Sequence, residues 1–313
     1  MVRRALAVSL AGPLAWSLAS SAFLAGPASP GAPPAGASVP AGPPGCRPGR
    51  VGHRDGRATE PYAPEPAEAA RMLDGMRRRL AELPPAARRA GPVTVPVHVH
   101  VITDGPLGAP DRALRPQIDA LNAAYGGRLG GVDTGIRFVL RGVTHTANAA
   151  WFHEPLGNEA PMKQRLHTGG AGTLNLYIAQ LGRLVLGYST YPHWYRDHPE
   201  LDGVVIDWRS LPGGALRDFS RGYTGVHEIG HWLGLLHTFE NGCSEPGDSV
   251  DDTPPEALPT TGCPERRDSC PEAGDDPVHN FMDYAHDRCM SEFTAGQAAR
   301  MRDMWVAYRA PSS

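Results

Sequence analysis

Apolar and polar residues alternate along Val93–Ile102 (VTVPVHVHVI). Period-two alternation with β-branched residues predicts a strand. Gly135–Val143, Thr173–Gln180 (TLNLYIAQ) and Asp202–Trp208 (DGVVIDW) predict further strands. Leu114–Tyr125 and Glu159–His167 carry helical spacing between them. Strands alternating with helices predict an α/β layer of mixed sense. From Gly225 the pattern becomes helix, long loop, helix. The last helix starts at Thr294, with Gln297 three residues on as a capping box, and runs to about Tyr308. Far upstream, Ala70, Leu73, Met76 and Leu80 predict a helix over Ala67–Leu83, ended by Pro84-Pro85. The chain shows no internal repeat.

The N-terminal stretch reads differently. Met1–Arg4 holds two arginines, and Ala5–Ala25 is apolar and uncharged. This is the profile of a secretory signal, with small residues for cleavage between Ser20 and Ala28. Gly12 and Pro13 weaken the same stretch as a membrane anchor. Of the 24 residues from Pro27 to Arg50, 13 are Pro or Gly, so this segment cannot bury a core. The expected organisation is a signal over 1–28, a leader over 29–90 and a compact domain over 91–313. Net charge is −3, which excludes a polybasic chain that binds nucleic acid or anionic membrane. Four of the five cysteines, Cys243, Cys263, Cys270 and Cys289, fall within 47 residues. In an exported chain this reads as two disulfides, for which three pairings are open. A zinc site of four thiolates is the other reading, but no C-x-x-C pair supports it. Cys46 is left over in the leader.

One motif carries chemistry. Residues 227–237 read H-E-x-x-H-x-x-G-x-x-H. His227 and His231 lie one helical turn apart and can grip a single metal ion. Glu228, next to the first ligand, can reach a water at that metal. Gly234 lets the chain leave the helix, so that His237 can swing back as a third ligand. Three neutral imidazoles with a fourth position open are the catalytic form of a zinc site. The same donors also accept cobalt, manganese or iron. Asn280-Phe281-Met282-Asp283-Tyr284 follows 43 residues after His237. An extended histidine motif followed by a methionine turn is the metzincin pattern.

Together with the G-C-S-x-x-G-D-x-V-x-D-T-P run of 242–254 and Cys289-Met290, these motifs make the chain resemble the pappalysin family of metzincin metalloproteases, in its small secreted microbial branch. The resemblance covers about residues 90–310 and is most specific from Gly222 onward. It implies a mixed, mostly parallel twisted sheet with helices, an active-site helix, and an irregular disulfide-bridged C-terminal subdomain ending in a helix. Met282 is then the apolar floor beneath the metal. Tyr284 helps hold the tetrahedral intermediate, and Glu228 is the general base. The disulfides implied are Cys243–Cys270 and Cys263–Cys289. Asp287 is expected at the base of the pocket for the residue after the scissile bond, where it selects Arg or Lys.

The acidic loop, with Glu245, Asp248, Asp251 and Asp252, suits a structural calcium ion. Cys46 is expected to plug the open zinc position in a zymogen. Leader removal is expected between about Arg71 and Gly91. Gly187–Trp194 is expected beside an extended substrate. His98 and His100 are read as strand residues, because zinc already has three histidines. The overall expectation is a secreted, monomeric zinc endopeptidase acting on proteins or peptides, without stable membrane association after signal cleavage. The alternative is a non-catalytic secreted module of the same fold; it would be expected to lose Glu228, which this chain keeps.

Overall fold

The alternating segment becomes strand β1, Val93–Thr103. Val95, Val97, Val99 and Val101 are buried along it, while Thr94 is exposed. Strands β2 (Ile136–Ala147), β3 (Leu174–Ala179), β4 (Gly187–Ser189) and β5 (Val204–Asp207) complete one sheet in the order β2-β1-β3-β5-β4. The first four in that order are parallel, and β4 runs antiparallel along β5 at one edge. Parallel neighbours need crossovers. Helix α2 (Leu114–Tyr125) links β1 to β2, and α3 (Ala149–His153) with α4 (Glu159–Leu166) links β2 to β3. Every residue of β3 and β5 is buried, as in strands covered on both faces. The computed structural model describes residues 60–87, 91–182, 185–272 and 274–311.

This is the mixed, mostly parallel α/β layer expected. The predicted strands and helices all form, with small changes at their ends. Strand β2 runs four residues past its expected end, to Ala147. The three-residue β4 is the one strand not foreseen.

Helix α5 (Tyr223–Trp232) shares one apolar core with α2 and the sheet. Val226, Ile229, Trp232 and Leu233 pack there with Ile118, Leu121 and Tyr125. Helix α1 (Pro66–Glu82) makes a second cluster. Its Ala69, Met72, Leu73 and Met76 pack with Tyr191, Leu236, Met304 and Ala307. The buried face is turned slightly from the expected one: Ala69 is inside and Ala70 is exposed.

The described residues fall within one unit, Gly45–Ser313. Among them no helix is long and apolar enough to cross a membrane. The expected signal segment, the Pro/Gly-rich leader and Cys46 lie outside the described residues.

Thr294 caps α6 (Ala295–Met304), and the capping box with Gln297 forms in both directions. The helix then widens into a π-turn, Trp305–Arg309. Arg309 is fully buried. Its guanidinium donates to Asp202 at 3.1 and 3.2 Å, to Trp232 O through Nε at 2.8 Å and to Ala171 O at 3.0 Å. It also stacks 3.6 Å from the centre of the Trp232 ring. Trp232 Nε1 donates to the same Asp202 at 2.9 Å. A guanidinium and a carboxylate thus seal the end of α5. Arg309→Met leaves a buried carboxylate without its cation and is expected to cost about 3–5 kcal/mol. The midpoint of urea unfolding measures this.

Candidate metal centre

His227 and His231 sit one turn apart on α5, with their Nε2 atoms 3.1 Å apart. The helix ends at Trp232, and Gly234 takes φ +89°, a region that favours glycine. A Cβ there would also lie 2.5 Å from Met304 Cγ. The turn brings His237 back, with its Nε2 3.1 Å from that of His231. The far side of each helical ring fixes its proton. His227 Nδ1 donates to Phe281 O at 2.7 Å, and His231 Nδ1 to Leu235 O at 2.8 Å. A carbonyl only accepts, so Nδ1 holds the proton and Nε2 presents a lone pair. Burial pushes His237 down to about 4, with Glu60 opposing.

These donors fit a metal ion. Zinc–nitrogen bonds of about 2.0–2.1 Å give a tetrahedral edge of about 3.3 Å. The observed nitrogen separations are close to it. Buried lone pairs facing one another at this distance repel unless a cation lies among them.

Glu228 follows His227 on α5 and is 2 % exposed. Burial first, and then the charge of Glu60, push its carboxyl well above the usual range. Its side chain lies against the backbone of β4, where a Cβ on Gly187 would come within 2.6 Å of it. Tyr284 places its hydroxyl 3.1 Å from His237 Nε2. Burial, with the charges of Glu60 and Glu228, keeps that phenol protonated. Met282 is fully buried in the core that holds Ile229. Asn280 braces its turn. It accepts from Met282 N at 3.0 Å and exchanges two hydrogen bonds with Gln297 of the α6 capping box.

A cavity of 310 Å³ opens beside Glu228 and is lined by His227, Tyr284, Thr260, Gly262, His286 and Asp287 among others. Asp287 is 3 % exposed and accepts from Arg221 N at 2.7 Å. Burial raises its carboxyl to about 6. Disulfides join Cys243 to Cys270 and Cys263 to Cys289. The second ties the two sides of this wall, next to Gly262 and two residues beyond Asp287. His286 N also donates to Gly262 O at 2.8 Å.

The family model described as pregnancy-associated plasma protein-A matches residues 211–306. Extracellular metalloprotease 1 of Coccidioides posadasii is 41% identical over 228 residues, covering 70% of this chain and 79% of its own. The chain belongs to the pappalysin family. An extracellular metalloprotease of Pyricularia oryzae is 39% identical over 259 residues, covering 79% of this chain and 89% of its own. Among solved structures, a mutant of Tannerella forsythia promirolysin aligns with TM-score 0.64 and 26% identity, over 78% of this chain and 90% of that one. Mature mirolysin with a cleaved peptide aligns with TM-score 0.58 and 28% identity, over 68% and 92%. This pappalysin is an extracellular metalloendopeptidase.

Sequence reading missed three parts of the centre. Phe281 contributes through its carbonyl, which no side-chain pattern signals. Tyr191 places its hydroxyl 3.0 Å from His231 Nδ1. Glu60 joins the three histidines in one group, its carboxylate within 3.0–3.3 Å of their Nε2 atoms. In the acidic loop, Asp252 accepts from Thr294 Oγ1 at 2.7 Å and Gly296 N at 2.9 Å, at the start of α6. His100 is held by Thr144 and Asn175, as a strand residue would be.

Zinc at a hundred times its Kd is expected to stabilise the metal-free protein by about 2.7 kcal/mol. A raised Tm would show this, and His231→Ala would abolish it. Gly187→Ala is expected to displace Glu228 and lower kcat by about 10²-fold with bound zinc unchanged. Steady-state kinetics with metal analysis checks both halves.

Proposed function

We propose that the chain is exported through its N-terminal signal as a latent precursor. Its mature, monomeric form is a zinc endopeptidase that prefers Arg or Lys after the scissile bond and has no stable membrane association. The observation that carries the preference is Asp287, a buried carboxylate in the same cavity as Glu228 and Tyr284. The existence of both promirolysin and mature mirolysin structures supports a precursor and a mature form.

Zinc, held by His227, His231 and His237, supplies Lewis acidity and makes water a stronger acid. Glu228 takes the proton of the attacking water and returns it to the leaving amine. A carboxylate with a raised pKa suits both halves of that transfer. Tyr284, kept as a phenol, donates a hydrogen bond to the oxygen on which charge develops. Strand β4 is the free edge of the sheet beside Glu228, and an extended substrate pairs with it. A calcium ion at Asp248, Asp251 and Asp252 belongs to the same reading; burial holds the Asp248 carboxyl near 7 without one. A Tm unmoved by calcium would reject it.

Digestion of a mixed peptide library with and without a zinc chelator tests the preference. Chelator-sensitive cuts before Arg or Lys are expected; cuts before other residues would discard the pocket. Asp287 faces Arg221, Asp218 and His286. Its carboxyl is neutral below about 6 and charged above. Selectivity for Arg over Leu in kcat/KM is therefore expected to rise as pH passes through 6. Asp287→Asn is expected to remove that dependence and about 2–5 kcal/mol of selectivity.

A further inference from the structure

The strongest unassigned group lies in the segment before α1. Glu60 Oε1 is 3.0 Å from His227 Nε2 and 3.3 Å from His237 Nε2, and its Oε2 is 3.2 Å from His231 Nε2. These separations match those between the histidine nitrogens themselves, 3.1 Å. The carboxylate therefore stands at the distance of a fourth ligand, and it lines the cavity that also holds Glu228 and Asp287. Its side chain is only 14% exposed.

The surrounding segment holds it there. The Tyr62 ring packs edge-on to Tyr188 of β4 at 5.6 Å and to Trp194 at 5.8 Å, and its hydroxyl donates to Glu159. Helix α1 then anchors the segment through its apolar face. Trp194 Nε1 also donates to Glu68 at 2.9 Å. A lone carboxylate could be a chance neighbour of three imidazoles. One held by Tyr62 on Tyr188 and Trp194, and close to all three imidazole Nε2 atoms, is a built contact.

We propose that the Glu60 carboxylate is the latency ligand of the precursor. It caps the metal's open position while Tyr62 packs against Tyr188 of the substrate edge. This rests on the reading of the chain as a latent zinc precursor. It places the cap on a carboxylate and not on the Cys46 thiolate. It also means that a cut after α1 does not by itself open the site, because apolar packing still holds the segment until it dissociates.

The test uses the full chain carrying Glu228→Ala, to prevent self-cleavage, loaded with cobalt in place of zinc. Acetohydroxamate, which needs the open metal position, is titrated while the cobalt absorption spectrum is followed. A cap populated in 99% of molecules weakens apparent affinity about 100-fold. Adding Glu60→Ala or Glu60→Gln is expected to tighten hydroxamate binding by about that factor. Glu60→Gln keeps the side chain's size, so its effect separates ligation from packing. Equal hydroxamate affinity with and without Glu60 would overturn the proposal. So would a thiolate-to-cobalt charge-transfer band that Cys46→Ala abolishes. A chain that binds no cobalt at all would overturn the metalloenzyme reading as well, which distinguishes the two failures.

Discussion

His227 Nδ1 donates a hydrogen bond to the carbonyl oxygen of Phe281, 2.7 Å away, and the rest of the centre depends on that proton staying on Nδ1. With Nδ1 committed, Nε2 has a lone pair and a fixed direction. His231 is held in the same way by Leu235 O. The carbonyls that orient these two imidazoles therefore come from two turns downstream of the helix. Each turn has its own support. Gly234 bends the chain toward Leu235. Asn280 fixes the turn that contains Phe281 and locks onto Gln297 of α6. His237 is steadied one residue on, where Thr238 Oγ1 donates to the buried Glu256 at 2.6 Å.

The cavity beside this centre separates three acidic groups by environment. Among the described residues Glu228 Oε2 has no hydrogen-bond partner, and burial raises the carboxyl. Asp287 is buried too, but backbone amides of Arg221 and Tyr223 temper the effect. Tyr284 stays neutral and donates. Two buried carboxyls and a buried phenol thus share one space, each in its own environment. The walls that separate them come from α5, from the turn at 280–284, and from the disulfide loop at 260–263.

Much of this was legible in the chain. The period-two segment at Val93 and the histidine spacing at 227–237 each express one local rule, and both formed as read. The parts that were not legible depend on contacts between distant segments. Strand β4 has three residues, too few for a period to show. The face of α1 is set by what it meets, Met304 and Ala307, so Ala69 turns inward where spacing alone favoured Ala70. Asp252 meets Thr294 Oγ1 and Gly296 N at the start of α6, a contact between distant segments that its local sequence does not announce. Phe281 acts through an atom that every residue possesses. Glu60 precedes the histidines by more than 160 residues, and Glu60-Pro61-Tyr62 has no sequence signature of a ligand.

The seal that Arg309 makes on Trp232 and Asp202 has a consequence for the order of events during synthesis. Chains emerge N-terminal end first. All three histidines are therefore made well before the cation that closes the end of their helix. Until Arg309 arrives, Asp202 has no guanidinium, and Trp232 lacks the group stacked upon its ring. A nascent chain can thus carry the whole metal motif without the scaffold that aims it. Assembly of the centre is timed by the completion of the domain, not by the appearance of its ligands.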